Sequence, residues 1–131
     1  MAAVLLDTTV LIDILRGRPA TVAKLRRLRT GGDVPYTCAI NVEEVVRGLR
    51  PPEEAEARRL FAGLMEAPLG LTEGHRAGEW RRYFAQRGKT LTQADCLIAA
   101  SALALGARLA TGNPGDFPMR ELSVEHWPVA T

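Results

Sequence analysis

The chain of 131 residues is 47% hydrophobic and 24% charged, the balance of an ordinary globular protein, and its length suits one domain spanning residues 1–131. A net charge of +2 supplies no global field of the kind that marks a nucleic-acid coat protein. No apolar run approaches membrane-spanning length and the N-terminus lacks a basic start, so the expected location is the cytoplasm, with no membrane partner.

Ala3-Val4-Leu5-Leu6 is a short apolar run ending at Asp7, which predicts a strand buried on both faces, as in a parallel sheet. Val10, Leu11, Ile14 and Leu15 then recur at helical spacing over residues 8–15. Pro19 opens a second helix, which Gly31-Gly32 ends. Residues 36–40 read as a second strand, and Asn41 as the cap of a helix carrying Val42, Val45, Val46 and Leu49. Pro51-Pro52 breaks the chain before an amphipathic helix over 53–65. A brief strand is expected at 69–71 and a helix over 73–86, with Trp80, Tyr83 and Phe84 as packing residues. Thr92 caps a helix over 94–105 that is apolar nearly all round and therefore buried. Residues 108–111 form a fourth strand, Gly112 to Gly115 a turn, and residues 122–127 a final edge strand. Strands alternating with helices predict a three-layer α/β/α sandwich around a parallel sheet of four to five short strands.

The chemistry lies in the acids. Asp7 ends the first strand, Glu44 falls in the first turn of the helix after the second, Asp95 in the first turn of the buried helix, and Asp116 after the turn that follows the fourth strand. Ligands of open parallel sheets bind beyond the carboxyl ends of the strands, where Asp7, Glu44 and Asp116 fall, and Asp95 joins them if the buried helix starts there. Taken singly, each has a structural use. Asn41-x-x-Glu44 and Thr92-x-x-Asp95 match capping boxes, Asp7 suits a helix cap, and Asp116 suits a turn. Caps alone do not explain why all four share one edge.

Converging carboxylates repel, and a divalent cation relieves the repulsion. All-oxygen ligands select Mg²⁺, or Mn²⁺, over zinc, which points to phosphodiester hydrolysis. Rival phosphate chemistries lack their residues. There is no glycine-rich phosphate loop, and Thr9 stands where an aspartyl-phosphate phosphatase needs a second Asp. His75 and His126 are isolated, and Cys38 and Cys96 sit in apolar runs as buried free thiols. Of the 17 basic residues only Lys24 and Lys89 are lysines. Arg16, Arg47 and Lys89, with Arg18, Arg50 and Arg87, fall in loops or helix ends where they are candidates to grip substrate phosphates.

Four segments resemble the motifs of the PIN domain, specifically VapC-type toxin ribonucleases of type II toxin–antitoxin pairs. They are Val4 to Asp13, Asn41 to Gly48, Leu91 to Ala100 and Leu109 to Phe117. In the second, the spacing to Gly48 picks Glu44 over Glu43. The resemblance implies a Mg²⁺-dependent endoribonuclease acting on tRNA, rRNA or mRNA, a homodimer, and inhibition by a cognate antitoxin whose chain occupies the active-site groove. It makes Asp7, Glu44, Asp95 and Asp116 metal ligands and catalytic residues, with Thr9 and Asn113 as polar supports. Gly112 replaces the larger residue common at that place, which bears on groove contacts rather than on the metal site. The alternative from a different class is a non-catalytic PIN-like module that only binds a regulatory protein.

Overall fold

Four consecutive apolar residues bury on both faces only inside a parallel sheet, and β1 (Ala3–Leu6) takes that place. The fold is that of a computed structural model, which describes residues 1–130. Five parallel strands lie in the order β3-β2-β1-β4-β5, with β2 at Val34–Thr37, β3 at Met65–Glu66, β4 at Arg108–Thr111 and β5 at Val124–His126. Side-chain alternation along β1 divides the core in two. Val4 and Leu6 join Ala110 under α1 (Thr8–Leu15), α2 (Pro19–Thr30) and Val45 of α3 (Ala39–Arg47). Leu5 and Leu109 face α5 (Leu71–Ala85) and α6 (Gln93–Ala104). The expected three-layer sandwich is the observed architecture.

Helix α6 is enclosed as its composition requires. Cys96 and the unbroken run Ile98 to Ala102 are buried, and Ser101 meets its hydrogen-bonding need by donating to the Pro68 carbonyl at 2.7 Å. The short helix α4 (Glu54–Ala62) follows a single turn at Pro51–Glu53 and is shorter than the expected helix over 53–65.

Three local expectations are corrected. The second strand is Val34–Thr37, not 36–40, and its helix starts at Ala39, not after Asn41. The Asn41 side-chain oxygen accepts the Cys38 backbone N–H at 3.2 Å, so Cys38 takes the cap position and the strand stops before it. Pro35 is tolerated because Val34 donates to Ala2, which turns the Pro35 nitrogen toward β3, and β3 begins only opposite Tyr36. The third strand is Met65–Glu66, not 69–71. Ala67 donates the last bond to Thr37, Pro68 follows, and Glu73 then caps α5 by accepting the Gly70 N–H at 2.7 Å. That cap starts α5 at Leu71, ahead of the expected 73. The final strand is confined to Val124–His126 within the expected 122–127.

Candidate active site

The chain runs outward from β1 to β2 to β3, then crosses back to lay β4 on the other side of β1. The crevice between β1 and β4 is therefore the topological switch point, the usual ligand site of an open parallel sheet. Asp7 occupies it. Its backbone N–H donates to Ala110 of β4 at 2.9 Å, and its carbonyl accepts the first hydrogen bonds of α1 from Val10 and Leu11. The side chain caps nothing, so the cap does not account for a carboxylate here.

Two hydroxyls hold that carboxylate. Thr111, the last residue of β4, donates to Asp7 Oδ2 at 2.7 Å, and Thr9 donates to the same oxygen at 3.3 Å. Each hydroxyl is itself oriented by a backbone N–H of the following loop. Gly112 donates to Thr9 Oγ1 at 3.0 Å and Asn113 to Thr111 Oγ1 at 3.0 Å. Thr9, expected as a polar support for metal or phosphate, donates to the Asp7 carboxylate. Asn113 contributes through its backbone, and its side chain is exposed.

Glu44 is held from the other side. Because α3 begins at Ala39, Glu44 lies in its second turn, not its first, and the capping-box use of Asn41 and Glu44 is excluded. Thr8 donates to Glu44 Oε1 at 2.6 Å. Asn41 Nδ2 donates to Thr8 Oγ1 at 3.1 Å while its oxygen holds Cys38. Asn41 is fully buried and links strand end, cap and acid in one chain of hydrogen bonds. Sequence reasoning took Asn41 for a simple cap and passed over Thr8 and Thr111. The available signal was the spacing of polar residues at the ends of apolar strands.

Asp95 is half-buried in the first turn of α6, where Thr92 caps the helix by accepting the Asp95 N–H at 3.1 Å. Asp116 ends a short turn at Pro114–Asp116 and is exposed beside the buried Phe117.

Electrostatics join the four. Burial pushes the Asp7 carboxyl up, against the lowering effect of its hydroxyl donors, and the Glu44 charge adds to the rise. Asp95 is likewise pushed up by burial, with Asp116, Asp7 and Glu44 contributing. Among the described residues no three His, Cys, Asp or Glu side chains are gathered closely enough to form a finished metal cage. The acids are near enough to perturb one another. Their donor set is entirely hard oxygen, which fits Mg²⁺ or Mn²⁺.

The basic candidates are placed differently. Lys89 Nζ lies 3.5 Å from the Gly115 carbonyl, next to Asp116. Arg47 is one turn beyond Glu44 and pairs with Glu43 at 3.7 Å. Arg16 follows α1 at its far end from Asp7, about 12 Å along the axis at the usual rise, and pairs with Glu53 at 3.6 Å.

The PIN domain model matches residues 4–118, a span holding all four acids. The chain belongs to the PIN-domain family. This PIN domain is 30% identical over 115 residues to Ribonuclease VapC19 of Mycobacterium tuberculosis, covering 88% of this chain and 92% of that one. It is 33% identical over 118 residues to Ribonuclease VapC10 of the same organism, covering 90% and 88%. Among solved structures it resembles VapBC2 from Rickettsia felis bound to a promoter DNA fragment, with a TM-score of 0.84, 20% identity and coverage of 95% and 98%. FitAcB from Neisseria gonorrhoeae matches with a TM-score of 0.74 at 28% identity, covering 95% and 97%. No helix of the described residues is long and apolar enough to cross a membrane.

Proposed function

We propose that this PIN domain is a Mg²⁺-dependent endoribonuclease, acting in the cytoplasm as a toxin that a cognate antitoxin neutralises. The observation that carries the reading is Asp7, a buried carboxylate at the β1/β4 switch point, oriented by two hydroxyls and electrostatically coupled to another acid. The VapC ribonuclease relatives support the reaction class. Solved VapBC complexes of the same fold support a protein inhibitor.

Asp7, Glu44, Asp95 and Asp116 would hold the metal, with Mn²⁺ as a substitute. Once bound, the metal supplies a nucleophilic water at neutral pH and stabilises the oxygen that leaves the phosphorus. The chain supplies orientation. Thr111 and Thr9 fix Asp7, Thr8 fixes Glu44, and the Thr92 cap fixes the backbone of Asp95. Lys89, next to Asp116, and Arg47, one turn beyond Glu44, would neutralise substrate phosphates, together with Arg16. The domain would act as a homodimer.

The test is cleavage of purified tRNA, rRNA and mRNA by the folded protein with Mg²⁺, with EDTA, and with Asp7→Asn. Discrete fragments requiring both metal and Asp7 are expected. Intact RNA in all three cases, from protein shown to be folded and metal-supplied, would favour a PIN module that only binds a protein partner.

A further inference from the structure

The family match stops at residue 118, yet the chain continues through β5 and back over the mouth of the site. Residues 127–130 are fastened at two points. The Trp127 N–H donates to the Thr111 carbonyl at 2.8 Å, and its indole is buried with Val10 and Leu11 of the α1 layer. The Ala130 N–H donates to Asp13 Oδ2 at 3.2 Å. Asp13 is buried at the heart of this anchor, accepting the Thr21 hydroxyl at 3.0 Å and facing Arg18 at 3.5 Å. Between these two fastenings Val129 is pressed onto Gly112. A Cβ on Gly112 would lie 2.4 and 3.0 Å from the two Val129 methyls and 3.2 Å from Thr9 Oγ1.

This contact explains the small residue at 112 in terms of space, since no positive φ demands glycine there. Gly112 and Asn113 are the residues whose N–H groups orient Thr9 and Thr111 on Asp7. A loop leaving the last residue of a strand has few bonds of its own to fix it. Here the segment returning from β5 bears down on it from outside.

We propose that residues 127–130 are a strut that positions Asp7, with Val129 holding the Gly112–Asn113 backbone so that Thr9 and Thr111 stay aimed at the carboxylate. Asp13 and Val129 are positioning residues, acting through the loop and never on substrate. The role in metal binding rests on the reading of Asp7 as a ligand, whereas the mechanical link does not.

Gly112→Ala tests it, because alanine and Val129 cannot share the space and the strut must lift. Two readouts are taken well below the unfolding temperature, with folding checked by circular dichroism. Amide hydrogen exchange at Asn113 needs no metal and is expected to quicken on the order of tenfold as the loop loosens. Mn²⁺ affinity, measured by titration calorimetry, is expected to fall roughly 10–100-fold, the usual cost of disturbing a ligand's outer partners. Val129→Ala removes the methyls that press on Gly112 while leaving the loop residues unchanged, and should likewise quicken Asn113 exchange and weaken Mn²⁺ binding. Asp13→Ala, which removes both oxygens that accept the Ala130 N–H without touching Gly112, should quicken the same Asn113 exchange. Wild-type exchange at Asn113 in Gly112→Ala or in Val129→Ala overturns the strut. If the parent takes up no Mn²⁺, the metal reading of Asp7 fails, and the exchange data still decide the strut.

Discussion

Asp7 is under two opposed demands. Burial and a neighbouring glutamate work against its charge, while two hydroxyls donate hydrogen bonds to one of its oxygens and favour that charge. Its carboxyl titrates above the ordinary value of 3.8 when folded. A raised acid contributes stability while both states are protonated, and that contribution is lost as pH rises through the folded value. The ionised Asp7 therefore destabilises the metal-free fold at neutral pH. Asp7→Asn should raise the melting temperature at neutral pH, and the gain should vanish as pH falls below the ordinary aspartate range. Calorimetry across that range checks the sign, and a lower melting temperature at neutral pH would contradict it. Thr111→Val keeps the shape and removes the 2.7 Å donor, so it should cost roughly 10–100-fold in metal affinity or cleavage. Thr111→Ser should recover most of that loss in the same assay.

At the scale of elements, α6 carries Asp95 by way of its cap. Thr92→Ala should cost about 1 kcal/mol in urea unfolding, the usual value of an N-cap, and Thr92→Ser should cost much less. The elements legible in the sequence were those with one unambiguous burial pattern. β1 is apolar on both faces and α6 is apolar nearly all round, so continuous runs located them and with them Asp7 and Asp95. Residues 36–40 were different, because an apolar run of five cannot by itself be divided between strand and helix. The division is made by Asn41, whose amide oxygen reaches back to Cys38, a tertiary-quality contact between neighbours that periodicity does not register. The same error displaced Glu44 by one helical turn without removing it from the site, since Thr8 and Asn41 tie it there. Thr111 and Thr8 were not singled out because an isolated threonine at a strand end or helix start is ordinary by composition. Their meaning arises only when β4 is laid against β1.

For the molecule as a whole, a net charge of +2 leaves little attraction for RNA beyond the local basic groups. Much of the arginine is already engaged, as with Arg16 on Glu53, Arg47 on Glu43 and Arg108 between Asp33 and Glu125. Binding should therefore depend on few phosphate contacts. In an Asp7→Asn background, Lys89→Ala should weaken RNA binding and lower the slope of log affinity against log salt by about one. Filter binding over a salt series measures that slope, and an unchanged value would remove Lys89 from the interface.

The sheet's outer strands have a further consequence. β3 is two residues long and β5 three, and each is left by a chain that turns away at once. Such edges cannot template another strand, which protects the monomer from edge-to-edge association. They also restrict how another polypeptide can take hold, since a ladder built on either edge would end after one or two backbone bonds. The proposed inhibitor would then be recognised through side chains rather than by extending the sheet, so sequence changes in it would alter its choice of partner far more readily than backbone pairing would allow.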